Sequence, residues 1–144
     1  MKIVFDTDVL YAALKSPTGA SRLWLRAALA GRVVPVMTTA LWLEYEAVLN
    51  RPRSLADMGA THADVGLVLD RLANVALPVD PEPGVRPAAN DPDDDFVVEA
   101  AVGGQADLLL TFNVRDFAAA RSFDFEISTP GAALARYRAL LEGE

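Results

Sequence analysis

An apolar run that ends abruptly on carboxylates constrains this chain more than any other stretch. Ile3-Val4-Phe5 is followed at once by Asp6-Thr7-Asp8, and a helical apolar pattern begins directly afterwards. A run without polar alternation suits a strand buried on both faces, as in a parallel sheet. The carboxyl end of such a strand is where open α/β sheets bind ligands. A carboxylate held there is costly unless a partner or a cation takes up its charge.

The rest of the chain continues the alternation. Further strands are predicted at 33–37, 75–79, around 108–110 and, weakly, at 125–128. Helices are predicted at about 9–14, 20–30, from Thr38 or Thr39 to Asn50, 61–73, 91–102, 114–121 and from Thr129 to Leu141. Gly31 reads as a C-cap and Arg51-Pro52 as a stop. Thr61-His62-Ala63-Asp64 has the form of a capping box. Asp91-Pro92-Asp93-Asp94 has the form of a helix start, with acids against the positive helix end. The proline-rich stretch 80–90 reads as a loop. Five strands alternating with helices predict an α/β fold of three layers, α/β/α, around a five-stranded parallel sheet. One domain is expected over 1–144.

Composition narrows the function classes. The chain has 144 residues, 52% of them hydrophobic, which argues against disorder and for one well-filled core. Its apolar stretches are too short to span a bilayer, and no signal-peptide pattern opens it, so no membrane association is expected. It has no cysteine, which excludes disulfides, thiolate zinc sites and cysteine nucleophiles and fits a cytoplasmic location. A net charge of −7, from 13 basic and 20 acidic residues, argues against a sequence-independent duplex binder. A nucleic-acid partner would need a local arginine patch and metal ions. All the basic residues except Lys2 and Lys15 are arginines, which favour bidentate phosphate contacts, although a GC-rich genome also explains them.

The acids follow a pattern. In a parallel α/β unit, Asp6 and Asp8 end the first strand. Asp93, Asp94 and Asp95 open the helix before the fourth strand, Asp116 follows that strand, and Glu44 lies within two turns of the start of the helix after the second. Acids from four distant segments are therefore expected at one sheet edge. If the first and fourth strands are neighbours, that edge is the topological switch point. Two carboxylates about 4 Å apart repel by roughly 4 kcal/mol at an effective dielectric of about 20. Their pKa values rise or a divalent cation binds, and oxygen donors without cysteine or a histidine cluster favour Mg²⁺ or Mn²⁺.

Plainer readings hold elsewhere. Asp91, Asp93 and Asp94 read as helix-capping acids, while Asp95 sits past the capping positions. Glu46 faces away from Glu44 and reads as solvated. Asp64 and Asp107 read as capping-box and turn acids. Lone His62 reads as a surface residue at a helix start. Trp24 and Trp42 read as core or partner-facing residues before nucleic-acid stacking platforms.

Four stretches together resemble the PIN domain, and within it the VapC-like ribonuclease toxins. Val4-Phe5-Asp6-Thr7-Asp8-Val9-Leu10 is similar to a first motif in which an apolar strand ends in Asp-Thr-Asn. Glu44-Tyr45-Glu46-Ala47-Val48-Leu49 is similar to the second. Asp91-Pro92-Asp93-Asp94-Asp95, followed by Ala100-Ala101, is similar to the third. Ala106-Asp107-Leu108-Leu109-Leu110-Thr111-Phe112-Asn113-Val114-Arg115-Asp116-Phe117 is similar to the fourth, a strand ending in Thr-x-Asn-x-x-Asp-Phe. Each motif alone is weak, and the ordered set is specific. Asp8 departs from it, standing where the family usually has Asn.

The resemblance implies a sheet order of 3-2-1-4-5 and an endoribonuclease that cleaves single-stranded RNA with Mg²⁺ or Mn²⁺. On it, Asp6, Glu44, Asp95 and Asp116 are expected to hold the ion and serve catalysis through a metal-activated water. Thr7 and Thr111 are expected to orient ligands, Asn113 to contact a carboxylate or the RNA, and Arg115 to meet phosphate. Asp8 would add a carboxylate or act as Asn would. The implied setting is the toxin of a toxin–antitoxin pair, with single-stranded or structured RNA as substrate, a cognate antitoxin as partner, and a homodimer. A catalytically silent PIN-fold binding module is the alternative. A haloacid-dehalogenase-like phosphatase also fits Asp6-Thr7-Asp8. That chemistry expects a downstream lysine, as does a receiver-like phosphoacceptor, and no lysine follows Lys15.

Overall fold

A computed structural model describes residues 1–81, 95–117 and 123–142. The described chain runs β1 (Lys2–Phe5), α1 (Thr7–Lys15), α2 (Ala20–Leu29), β2 (Val34–Met37), α3 (Thr39–Leu49) and α4 (Pro52–Met58). It continues with α5 (His62–Val75), β3 (Leu77–Pro78), α6 (Asp95–Gly103), β4 (Leu108–Leu110), β5 (Glu126–Ser128) and α7 (Pro130–Leu141). The loop expected after residue 81, the helix start at Asp91–Asp94 and the end of the helix expected at 114–121 lie outside the described residues.

All strand pairs are parallel and the order is β3-β2-β1-β4-β5, as the resemblance implied. Successive strand residues point to opposite faces. Ile3, Val4 and Phe5, and Leu108 to Leu110, are all buried, so the two central strands are covered on both sides. That burial is what the unalternating apolar runs required. Helix α6 packs on β1, β2 and β4, and α2 packs against α1 and α7.

The helix signals act largely as read. Thr38 caps α3 by accepting Leu41 N–H, Thr129 caps α7 by accepting Ala132 N–H, and the Thr61–Asp64 capping box is complete. His62 is exposed and bonds Asn50. Three readings need correction. The strand expected at 75–79 is confined to Leu77–Pro78, because α5 runs on to Val75. Helix α1 begins at Thr7 rather than Val9, because Asp6 is its N-cap, so Asp8 lies in the first turn and not at the strand end. Arg51-Pro52 does more than stop α3. Pro52 is the first residue of α4, where its missing N–H is harmless, and Gly59 at φ 64° closes that helix.

Gly104 marks a close approach. A β-carbon there would collide with the Val36 side chain, so α6 can end this near β2 only with glycine. The left-handed position after the helix falls to Gln105 at φ 52°. Gly104→Ala is expected to destabilise the fold by about 1–3 kcal/mol through overpacking, measured by urea denaturation.

Candidate active site

The register of β1 against β4 builds the site. Phe5 pairs with Leu110, so the next residues outward, Asp6 and Thr111, are neighbours. The Thr111 hydroxyl donates to Asp6 Oδ2 at 2.7 Å, and Thr7 N–H donates to Asp6 Oδ1 at 2.8 Å. Thr111 also accepts Asn113 N–H at 3.0 Å. One buried hydroxyl thereby couples the acid to the loop after β4.

Asp8 ties the same loop from the helix side. Its Oδ2 accepts Phe112 N–H at 3.2 Å and the Asn113 side-chain amide at 3.1 Å. An ionised carboxylate is an acceptor only and suits two donors on one oxygen. Asp8 therefore holds the β4 loop against the first turn of α1.

Burial is the dominant cost at Asp6. It pushes the carboxyl pKa up to about 7, with the charge of Asp8 as the second cause, against the lowering effect of the Thr111 and Thr7 bonds. Tyr45, which sequence reasoning passed over, supports this corner from α3. Its hydroxyl is fully buried and donates to the Phe5 carbonyl, and burial, then the charge of Asp6, raises its pKa. Spaced four residues from both Leu41 and Leu49, it reads in sequence only as core.

Asp6, Asp8, Glu44 and Asn113 share the lining of a cleft of about 470 Å³. The same lining includes Arg51 and Arg53, exposed at the start of α4, and Tyr11, whose hydroxyl donates to Asp57 Oδ2 at 2.7 Å. None of these four reads in the sequence as a site residue; Pro52 hid the helix that carries Arg53 and Asp57 and that Arg51 caps. Thr7 is buried in the same wall.

The other expected ligands are placed differently. Asp95 is buried in the first turn of α6 and is not part of that lining, although Val97 is. Asp116 lies in a 3₁₀ turn at 114–117, where its N–H donates to the Asn113 carbonyl at 2.9 Å. With Arg115 it lines an adjoining hollow of about 400 Å³, and Asn113 borders both spaces. Asp91, Asp93 and Asp94 lie outside the described residues. Glu46 is exposed and Trp24 fully buried, in line with their plainer readings, and Trp42 is half-buried. Among the described residues, no three acids or histidines are gathered closely enough to hold a metal ion. Carboxylates brought together without a cation repel, so the protein alone has no reason to gather them further.

The donor chemistry nevertheless suits a hard divalent cation. Oxygen donors from Asp6, Asp8 and Glu44 face one cleft, and the most buried of them carries a charge that its surroundings disfavour. A family model described as PIN domain matches residues 2–115. No curated protein matches the chain.

Proposed function

This chain belongs to the PIN domain family, whose fold is that of nucleases, and from that premise we propose that it is a metal-dependent endoribonuclease acting on single-stranded RNA. The observation that carries the proposal is the shared cleft at the carboxyl ends of β1 and β4. There Asp6 is fixed by Thr7 and Thr111, with Asp8 and Glu44 beside it and two arginines in the same lining. Asp6 and Glu44 would hold Mg²⁺ or Mn²⁺, with Asp95 and Asp116 as the further ligands that the family motifs support. A bound divalent ion supplies Lewis acidity that makes water nucleophilic near neutral pH and offsets charge on the phosphodiester.

The chain's own residues do the rest. Thr111 and Thr7 hold the Asp6 carboxylate in one orientation, so ion binding costs no reordering there. Arg51 and Arg53 offer forked donors to phosphate oxygens flanking the scissile bond. Asp8 keeps Asn113 and the β4 loop in register with α1. The resemblance to VapC-like proteins supports a toxin role, with a cognate antitoxin as partner and a homodimer in the cytoplasm. Growth arrest on expression of the chain, relieved by its antitoxin, would test that role.

Cleavage of a single-stranded oligoribonucleotide is expected with Mg²⁺ or Mn²⁺ and not with EDTA. Cleavage indifferent to EDTA would end the reading. The alternative is a catalytically silent PIN-fold binding module. Calorimetric titration with Mn²⁺ separates the two, since a silent site binds the ion weakly and an active one saturates.

A further inference from the structure

Phe112 stands apart from the other aromatic side chains. Thr111 before it and Phe117 after it are fully buried, whereas Phe112 is 48% exposed. The other large hydrophobic side chains exposed among the described residues are aliphatic: Leu23, Val34, Leu43 and Leu67. Among the described residues Phe112 is the exposed ring beside the candidate active site, while Tyr11 in the cleft wall is half-buried. It follows Thr111, which bonds Asp6, and precedes Asn113, which borders the acidic cleft.

Its backbone is unusually well fixed for an exposed residue. The Phe112 N–H donates to Asp8 at 3.2 Å, and the next N–H, of Asn113, donates to Thr111 Oγ1 at 3.0 Å. The ring is thus carried on backbone anchored to the acids themselves. It lines the hollow of about 400 Å³ shared with Arg115, and Asn113 borders both that hollow and the acidic cleft. A space of this size accommodates a small planar organic group.

We propose that Phe112 is a base-stacking residue, holding the nucleobase of a nucleotide next to the scissile phosphate of single-stranded RNA, with Arg115 near the adjoining backbone. The inference rests on reading the acidic cleft as the RNA-cleaving site and adds a substrate position to it. The physical need is clear. A protein of net charge −7 repels RNA at long range, and stacking supplies affinity that does not depend on charge. Every base has a π-face, so the position tolerates sequence and requires a single strand whose bases are free.

The test uses the full chain, a single-stranded oligoribonucleotide carrying 2-aminopurine, and a second oligoribonucleotide abasic at one position beside the cleavage point. Wild type is expected to quench 2-aminopurine on binding. Phe112→Ala and Phe112→Leu are expected to lose the quench and raise KM about tenfold with kcat little changed. Phe112→Tyr should restore both, and on the abasic substrate wild type and Phe112→Ala should become equal. A Leu variant that behaves as wild type, or an Ala effect that persists on the abasic substrate, would overturn stacking. RNA cleavage without Phe112 dependence removes this inference and leaves the ribonuclease reading intact. Phe112-dependent quenching without any cleavage does the reverse.

Discussion

Asp6→Asn is expected to lower RNA cleavage about a thousandfold while making the metal-free protein more stable. The activity loss follows from removing a charged ligand, since a metal ion's Lewis acidity is worth several kcal/mol in the transition state. The stability gain follows from burial. The folded pKa of Asp6, about 7, lies above the ordinary 3.8, so the fold favours the protonated form. Below pH 3.8 the group is neutral folded or unfolded and contributes no penalty. As pH rises from 3.8 to 7 the unfolded state ionises first, stability falls, and above 7 the full penalty of about 4 kcal/mol is present. Asn keeps the Thr7 N–H bond and carries no charge. Urea denaturation in EDTA should therefore show wild type losing stability between pH 4 and pH 7 relative to Asp6→Asn. Mn²⁺ should stabilise wild type far more than the variant. Parallel pH curves for the two proteins would refute this account of Asp6.

Trp24→Ala is expected to cost about 3–5 kcal/mol, the largest stability loss from a single side chain outside the site. Trp24 is fully buried on α2, its indole N–H donates to the Pro130 carbonyl at 3.0 Å, and its ring meets Tyr137 edge-on at 6.2 Å. The side chain therefore fastens α2 to α7, which follows β5 at the edge of the sheet. Trp24→Phe keeps most of the buried area and loses the hydrogen bond, so it should cost only about 1–2 kcal/mol. Denaturation followed by far-ultraviolet circular dichroism checks both. Trp42, half-buried, should tolerate the same change to Phe within about 1 kcal/mol.

The helix caps were legible because their cause is local. Thr38, Thr61 with Asp64, and Thr129 each satisfy backbone donors within three residues, and sequence distance is then the same as spatial distance. Helix α4 was not legible, because Arg51-Pro52 carries two meanings and only packing selects between them. A proline ends one helix and can also begin the next. Missing α4 hid Arg51, Arg53 and Asp57 from the cleft. Size is visible in sequence and exposure is not, so the tryptophans stand out in the sequence and only the structure shows Phe112 exposed.

The sequence by itself determined a doubly covered parallel sheet and an acid at the end of its first strand. Unbroken apolar runs have no other economical burial, and the chain has no charge partner next to Asp6 along its length. Only the tertiary structure decided what each acid touches. Thr111 lies 105 residues from Asp6, and their meeting depends on β1 pairing with β4 in one register. The same register set Asp8 against Asn113 and left Phe112 at the rim. Side-chain contacts across a parallel sheet arise from strand order and stagger, which no local pattern of residues encodes.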